Sequence, residues 1–256
     1  KKSAGINFLP SKHPMKLSVS MITFQGAAYL KAQMDSILGQ SIPVQEIIVC
    51  DDGSTDGTRE ILAAYAASHP HIQLFFNEKN LGTVANMQQC LRRTTGDLIF
   101  LADQDDVWLP SKVEKTLAFF QENPEADAVF SNADIIDEVG ETQFGMTLWD
   151  IIGFPYGQVD LTDFETRVDN VVTGAGLAFK RNQELLEKDI PQIPGLLHDG
   201  WIGLYFAAKN TLNANPEKLF QYRSHANQQV GGKIKERSQL LSFNLALYDG
   251  VPVMKD

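Results

Sequence analysis

The sequence has few cysteines, fewer basic than acidic residues and no long hydrophobic run, and each shortage narrows the class of protein. Cys50 and Cys90, the two cysteines among 256 residues, lack the spacing of a metal motif, so we expect buried free thiols and a reducing cytoplasmic location. A net charge of −10 argues against a nucleic-acid partner, because phosphate binding needs a basic surface. No apolar run is long enough to span a membrane, which favours a soluble chain.

The two ends of the chain are interpreted separately from the part between them. Residues 1–15 lack the apolar segment of a signal peptide, and we interpret them as an N-terminal tail or an expression remnant. Residues 232–256 contain several leucines and are interpreted as a C-terminal helical tail. We expect this tail to dock on the domain, with a partner subunit or a membrane surface as the alternatives. The sequence leaves the oligomeric state open.

Between these ends, apolar patterns typical of strands and helices alternate. Strands are predicted at residues 17–22, 46–50, 72–76 and 98–101, and helices at residues 29–38, 58–67 and 84–91. This alternation predicts a single α/β domain with a mostly parallel sheet, in which ligands bind beyond the carboxyl ends of the strands. Further along, strands are predicted at residues 127–131 and 171–180, and residues 132–170 are interpreted as an irregular insertion.

An acidic cluster, Asp103-Gln104-Asp105-Asp106, follows the predicted strand 98–101. Such close like charges repel, and burying them without partners is unfavourable by several kcal/mol. A divalent cation such as Mg²⁺ or Mn²⁺ resolves the conflict, because it prefers carboxylate oxygens and keeps positions open for substrate phosphates. The alternative is a solvated turn in which an aspartate caps a helix beginning at Pro110.

A second polar segment, residues 51–58, directly follows the predicted strand 46–50. Ser54, Thr55 and Asp56 are interpreted as caps of the next helix. Asp52 differs, because at the end of a strand its carboxylate can accept a hydrogen bond from a ligand. A calcium loop is excluded, since its last ligand position would fall on Ala63. A phosphate-binding Walker loop is also excluded, because no Lys-Ser or Lys-Thr follows a glycine-rich turn.

Further motifs occur in a fixed order along the chain. They are Ile22-Thr23-Phe24, the two acidic segments, Asn80-Leu81-Gly82 with Asn86, Gly174-Ala175-Gly176, His198-Asp199-Gly200-Trp201 and Tyr222-Arg223-Ser224-His225. With these motifs, residues 16–231 resemble the family 2 glycosyltransferases, which have the nucleotide-binding fold called GT-A. The Asp-Gln-Asp-Asp-x-Trp form is most similar to the bacterial rhamnosyltransferase-like branch that builds surface polysaccharides. Gln25 is a departure, because relatives usually carry Asn there.

The resemblance implies a fold and a role for each half of the domain. We expect a Rossmann-like, mostly parallel central sheet flanked by helices in one GT-A catalytic domain, residues 16–231. Residues 16–106 would form the nucleotide-binding half, and residues 107–231 the acceptor half.

The resemblance also implies site residues. The nucleotide would be bound by Thr23, Phe24, Asp52, Asn80 and Asp103. Asp52 would accept the imide N–H of uracil or thymine, and Asp103 would hold the ribose or a metal-bound water. Asp105 and His225 would bind Mn²⁺ or Mg²⁺. The diphosphate or the acceptor would contact Arg223, Gly174 and Trp201, and Asp106 would cap the next helix or support the site.

Asp199 is the implied catalytic base. An inverting transfer needs a carboxylate near the acceptor hydroxyl to take its proton. Without the resemblance we would favour an N-cap role for Asp199, because it lies before an amphipathic helical pattern.

The implied reaction transfers a sugar from a UDP- or dTDP-linked donor, with rhamnose among the candidates, to a saccharide or lipid-linked saccharide in bacterial surface polysaccharide synthesis. The enzyme would be cytoplasmic, or peripheral at the inner face of the cell membrane. A nucleotidyltransferase is an alternative, but residues 23–28 lack the basic side chains that bind a triphosphate. A non-catalytic saccharide-binding relative is another, against which the presence of all the site aspartates argues.

Overall fold

The computed structural model describes residues 15–154, 172–226 and 228. Its strands are β1 (Leu17–Thr23), β2 (Glu46–Asp51), β3 (Ile72–Phe76), β4 (Leu98–Ala102), β5 (Val107–Trp108), β6 (Ala128–Ile136), β7 (Thr142–Thr147), β8 (Leu177–Lys180) and β9 (Leu212–Arg223). Its helices are α1 (Leu30–Leu38), α2 (Thr58–Ser68), α3 (Thr83–Arg93), α4 (Lys112–Glu122), α5 (Leu148–Ile152), α6 (Gln183–Glu187) and α7 (His198–Ala207). A 3₁₀ turn spans Gly174–Gly176.

The strands form one sheet in the order β3-β2-β1-β4-β8-β6-β9-β5. Strand β7 lies outside this order and pairs with β6. Strands β1 to β4 are mutually parallel, and β6 runs parallel to β9 over most of its length. Antiparallel pairs join β8 to both β4 and β6. The prediction of a single α/β domain with a mostly parallel sheet is confirmed.

The sheet is buried on both faces, which explains the continuous apolar runs of its central strands. Because side chains alternate along a strand, Ile47 and Val49 of β2 face the core formed with α1, α2 and α4. Ile48 and Cys50 face the other core, formed with α3, α6 and α7. Burying such an aliphatic side chain contributes about 1.5–3 kcal/mol. Cys50 and Cys90 are free and buried, as expected.

The acceptor half differs from its prediction. Residues 132–154 are not irregular, because β6 continues to Ile136, pairs with β7 and is followed by α5. Helix α5 begins at a capping box in which Thr147 and Asp150 bond each other's main chain. The predicted strand 171–180 is shorter, since the 3₁₀ turn precedes β8. Helix α4 begins at Lys112 rather than at Pro110.

Strands β5 and β9 were not predicted. Strand β9 contains Pro216, which usually argues against a strand, but it lies where the register between β6 and β9 shifts. A bulge tolerates proline because no ladder hydrogen bond is required there. Residues 1–14 of the predicted N-terminal tail, the predicted tail 232–256, residues 155–170 of the predicted insertion and residue 171 of the predicted strand lie outside the described residues. Within the described part of the chain, no helix is long and apolar enough to cross a membrane.

Candidate active site

The predicted nucleotide-binding residues lie where β1, β2 and β4 end side by side. Because β1 pairs in parallel with both neighbours, the loops after Thr23, Asp51 and Ala102 adjoin one another. Thr23 is buried, and its hydroxyl donates to Asp51 Oδ2 at 3.0 Å, while Asp52 N donates to Thr23 O at 2.8 Å. The topology therefore places all three loops at one edge of the sheet.

Asp51, which the sequence analysis did not single out, anchors the loop after β2. Its carboxylate accepts bonds from Ser54 and from Arg59 Nε, the latter at 2.7 Å. Burial alone would raise the pKa of Asp51, but these bonds outweigh it and lower the pKa. Ser54 is not a helix cap, because its hydroxyl bonds Asp51 and the N-cap of α2 is Gly57.

Asp52 organises the loop that contains Asn80. Its Oδ1 accepts from Asn77 Nδ2 at 2.9 Å and from Leu81 N at 2.8 Å, and its Oδ2 accepts from Gly82 N at 2.9 Å. The side chain of Asn80 accepts from the same Gly82 N. A carboxylate offers about four acceptor positions. One position therefore remains for a ligand.

The loop after β1 presents Phe24 to solvent with 45% of its surface exposed. Gln25, the departure from the family pattern, binds Thr55 twice, since Thr55 N donates to Gln25 Oε1 at 2.9 Å and Gln25 Nε2 donates to Thr55 Oγ1 at 3.2 Å. Gln25 adopts a left-handed φ of 51°. Its longer side chain thus ties the first loop to the loop after β2.

The 3₁₀ turn brings Asp103 and Asp199 together. Gly174 N donates to Asp199 Oδ2 at 2.9 Å. A Cβ added at Gly174 would lie 3.3 Å from His198 Nε2, 3.5 Å from Asp103 Oδ2 and 3.6 Å from Asp199 Oδ2. Burial, together with the charges of Asp105 and Asp199, raises the pKa of Asp103 to about 7. Three polar side chains therefore lie close around one buried glycine, where even a methyl group would be tight against His198.

Asp199 lies within helix α7 and does not precede it. The N-cap of α7 is Leu197, so the capping alternative for Asp199 is wrong. Gly200 N donates to Asp199 Oδ1 at 2.7 Å, so each carboxylate oxygen accepts a main-chain bond. In the described part of the chain, both ring nitrogens of buried His198 and Nε1 of Trp201 have no hydrogen-bond partner.

Asp105 and His225 form the second part of the site. His225 Nε2 lies 2.9 Å from Asp105 Oδ2, and the imidazole packs against Tyr29 with ring centroids 4.7 Å apart. No group of three or more metal-ligating side chains occurs within residues 15–154, 172–226 and 228. A carboxylate and an imidazole still fit Mg²⁺ or Mn²⁺, since such ions in nucleotide sites take most other ligands from phosphates and water.

Arg223 secures the main chain around this pair. Its Nε donates to Asp105 O at 2.8 Å and its Nη1 donates to Asp137 O at 2.8 Å, with the guanidinium over the Tyr29 ring. Arg223 N donates to Asp106 Oδ1 at 2.9 Å. Asp106 therefore supports the site and does not cap the next helix.

Lys112 is a buried cation that the sequence analysis missed. Its Nζ donates to Ala175 O at 2.8 Å and lies 5.0 Å from the Trp108 ring centroid and 4.8 Å from that of Phe220. Burial lowers the pKa of Lys112 to about 7. Helical spacing offered a signal, because Lys112 shares its face with the buried residues Thr116 and Phe120.

Two solved structures have a similar fold. TarS of S. aureus, residues 1–349 in complex with UDP-GlcNAc, gives a TM-score of 0.63 at 18% identity and covers 90% of this chain and 66% of that one. The mannosyltransferase PcManGT of Pyrobaculum calidifontis, in complex with GDP-Man and Mn²⁺, gives 0.61 at 19% identity and covers 93% and 66%. The fold is therefore GT-A, as predicted.

The sequence comparisons identify the family. Residues 18–185 match the model described as Glycosyl transferase family 2, and the chain belongs to this family. EpsE of Bacillus subtilis (strain 168), which is named as a glycosyltransferase, is 37% identical over 126 residues, covering 49% of this chain and 45% of EpsE. The match thus spans less than half the length of that relative. Membership of this family does not support the nucleotidyltransferase alternative.

Proposed function

We propose that this chain transfers a sugar from a UDP- or dTDP-linked donor to a hydroxyl of a saccharide or lipid-linked saccharide, with inversion at the anomeric carbon. The observation that carries the proposal is the convergence of Asp103 and Asp199 on Gly174, with the Asp105–His225 pair beside Asp103 in the chain. A group for donor binding and a candidate base therefore lie close to the same glycine. The Asp-Gln-Asp-Asp-x-Trp motif supports a bacterial surface polysaccharide as product, with rhamnose among the candidate sugars.

The nucleobase would stack on exposed Phe24 and donate its imide N–H to Asp52. Three of the acceptor positions of Asp52 are used by the chain itself, which leaves one for the base. Uracil and thymine carry an N–H at this position of the ring, whereas N3 of cytosine is an acceptor. Thr23 and Asn80 would shape the pocket, and Asp103 would accept a bond from the ribose.

A divalent cation, Mn²⁺ or Mg²⁺, would be held by Asp105 and His225 and would supply charge neutralisation for the departing diphosphate. Arg223 positions Asp105 through its main chain and adds positive charge beside the diphosphate. The Mn²⁺ in the PcManGT complex supports the use of such an ion.

Asp199 would act as the base. Bonds from Gly174 N and Gly200 N fix its carboxylate beside Gly174. As the acceptor hydroxyl attacks the anomeric carbon, its proton moves to Asp199, and the bond to the diphosphate breaks on the opposite face. Gly174 and Trp201 would contact the acceptor.

The experiment is a thermal-shift series with UDP, dTDP, CDP and GDP, each with Mn²⁺ or with EDTA. A ligand that binds only the folded state raises the melting temperature. We expect the largest shifts with UDP or dTDP in the presence of Mn²⁺. A larger shift with GDP, or no shift with any nucleotide, would contradict the proposal.

A further inference from the structure

Gln104 lies in the middle of the acidic motif, yet its side chain is directed to the first loop. Phe24 N donates to Gln104 Oε1 at 2.8 Å, and Gln104 Nε2 donates to Phe24 O at 2.9 Å. Both ends of the amide thus bond the main chain of one residue. We call this pair of hydrogen bonds the Gln104 clasp.

Gly26 provides an independent sign that the clasp is a built feature. A Cβ at Gly26 would lie 2.1 Å from Gln104 Oε1 and 2.5 Å from Gln104 Cδ, far inside contact distance. The φ of Gly26 lies outside the left-handed region, so the backbone itself does not require glycine. The Gln104 amide occupies the space that a side chain at position 26 would need, which explains why this residue is glycine.

The clasp has a geometric consequence. Phe24 is fixed through its main chain while 45% of the residue's surface remains exposed, which suits a side chain on which a flat base stacks. The residue that fixes it is covalently joined to Asp103 and Asp105. Any displacement of the Phe24 main chain away from Gln104 must first break the clasp.

We propose that Gln104 is a positioning residue that holds Phe24 in register with Asp103 and Asp105 and thereby strengthens nucleoside binding. The inference rests on the proposed function, because it assigns Phe24 to the base. Gln104 itself need not touch the nucleotide. Its effect is transmitted through the main chain of the first loop.

The test is a double-mutant cycle with UDP and uridine as probes, measured by isothermal titration calorimetry in EDTA. Gln104→Ala removes the clasp, and Gly26→Ala displaces the amide while Gln104 is retained. We expect each single variant to bind both probes about tenfold more weakly, the effect of losing two modest hydrogen bonds. The double variant should bind no more weakly than Gln104→Ala, because the methyl group added at position 26 then occupies vacated space.

Two further variants keep the test decisive. Gln121→Ala changes an exposed glutamine on α4 and should bind UDP as the unaltered chain does. Gln104→Glu keeps the size of the side chain but places a carboxylate oxygen against Phe24 O, so it should weaken binding even if the alanine variants fold poorly.

The outcomes separate this inference from the proposed function. Unaltered UDP affinity in folded Gln104→Ala and Gly26→Ala, or additive losses in the double variant, would overturn the role of Gln104 alone. Absence of UDP binding by the unaltered chain with Mn²⁺ as well as in EDTA would overturn the proposed function together with this inference. Equal losses for UDP and uridine would support the clasp, because uridine lacks the diphosphate.

Discussion

Lys112 Nζ donates a hydrogen bond to the carbonyl oxygen of Ala175 at 2.8 Å, although 63 residues separate the two positions. Ala175 is the middle residue of the 3₁₀ turn, whose Gly174 N bonds Asp199 and whose Ala175 N bonds Asp103. One short turn therefore holds two site carboxylates, and a buried lysine holds the turn.

This arrangement predicts that Lys112→Met lowers turnover about tenfold or more and also lowers the melting temperature, because the buried Ala175 carbonyl loses its donor. Methionine fills a similar volume without a desolvated ammonium group, but it releases the Ala175 carbonyl. The measurements are kcat and thermal unfolding. Lys115→Met, on the exposed side of the same helix, is the matched control. Unchanged kcat in Lys112→Met would show that the turn does not need the lysine.

Asp199→Asn should lower turnover by about 10²–10⁴-fold, the range supplied by general-base catalysis. Asparagine keeps the shape of the side chain, and its oxygen can still accept from Gly174 N, but it cannot take the proton. UDP affinity should be nearly unchanged, because the proposed nucleotide contacts lie elsewhere. Steady-state kinetics with a calorimetric titration of UDP separates the two effects. Loss of UDP binding along with turnover would instead indicate a structural role.

Asp105→Asn and His225→Ala should each remove most of the Mn²⁺-dependent part of UDP affinity. The two side chains lie 2.9 Å apart, and either change deletes one protein ligand of the proposed ion. UDP affinity in EDTA should stay within about twofold, since base contacts remain. Titrations with and without Mn²⁺ measure both quantities. If the Mn²⁺-dependent gain persists in both variants, the ion is bound elsewhere.

The nucleotide-binding half could be predicted from the sequence because its signals are local. Strands β2 and β4 contain continuous apolar runs, and β1 and β3 are mostly apolar. Polar residues follow these strands at the sheet edge where ligands bind. Strand β9 was not predicted, because its polar residues and Pro216 obscure the pattern of a strand. Its place in the sheet is determined by its pairing with β6 and β5.

The missed site contacts are long-range in the same way. The direction of the Gln104 amide depends on the path of the first loop, 80 residues earlier. Two of the three bonds to Asp52 come from main-chain N–H groups 29 and 30 residues later, and a pattern of side chains does not reveal such donors.

Glu46 predicts how stability depends on pH. It is buried at the start of β2, with 4% of its side chain exposed, and it accepts bonds from Ser18, Thr95 and Lys16. Burial alone would raise its pKa, but these bonds outweigh burial and lower the pKa from 4.5 to about 2. Because the pKa of Glu46 is lower in the folded state than in the unfolded state, the ionised carboxylate stabilises the fold above pH 4.5. This stability is lost as the pH falls towards 2.

Glu46→Gln should therefore reduce the free energy of unfolding by about 3 kcal/mol at pH 7, since each pKa unit corresponds to about 1.4 kcal/mol. At pH 3 the difference between Glu46→Gln and the unaltered chain should fall to about half, because the unaltered chain has lost part of the advantage of its ionised carboxylate. Urea unfolding at both pH values measures the difference. Glu60→Gln, at an exposed position of α2, should show little difference at either pH. A difference for Glu46→Gln that is the same at pH 3 and pH 7 would mean that its hydrogen bonds stabilise the fold without depressing the pKa of the carboxyl.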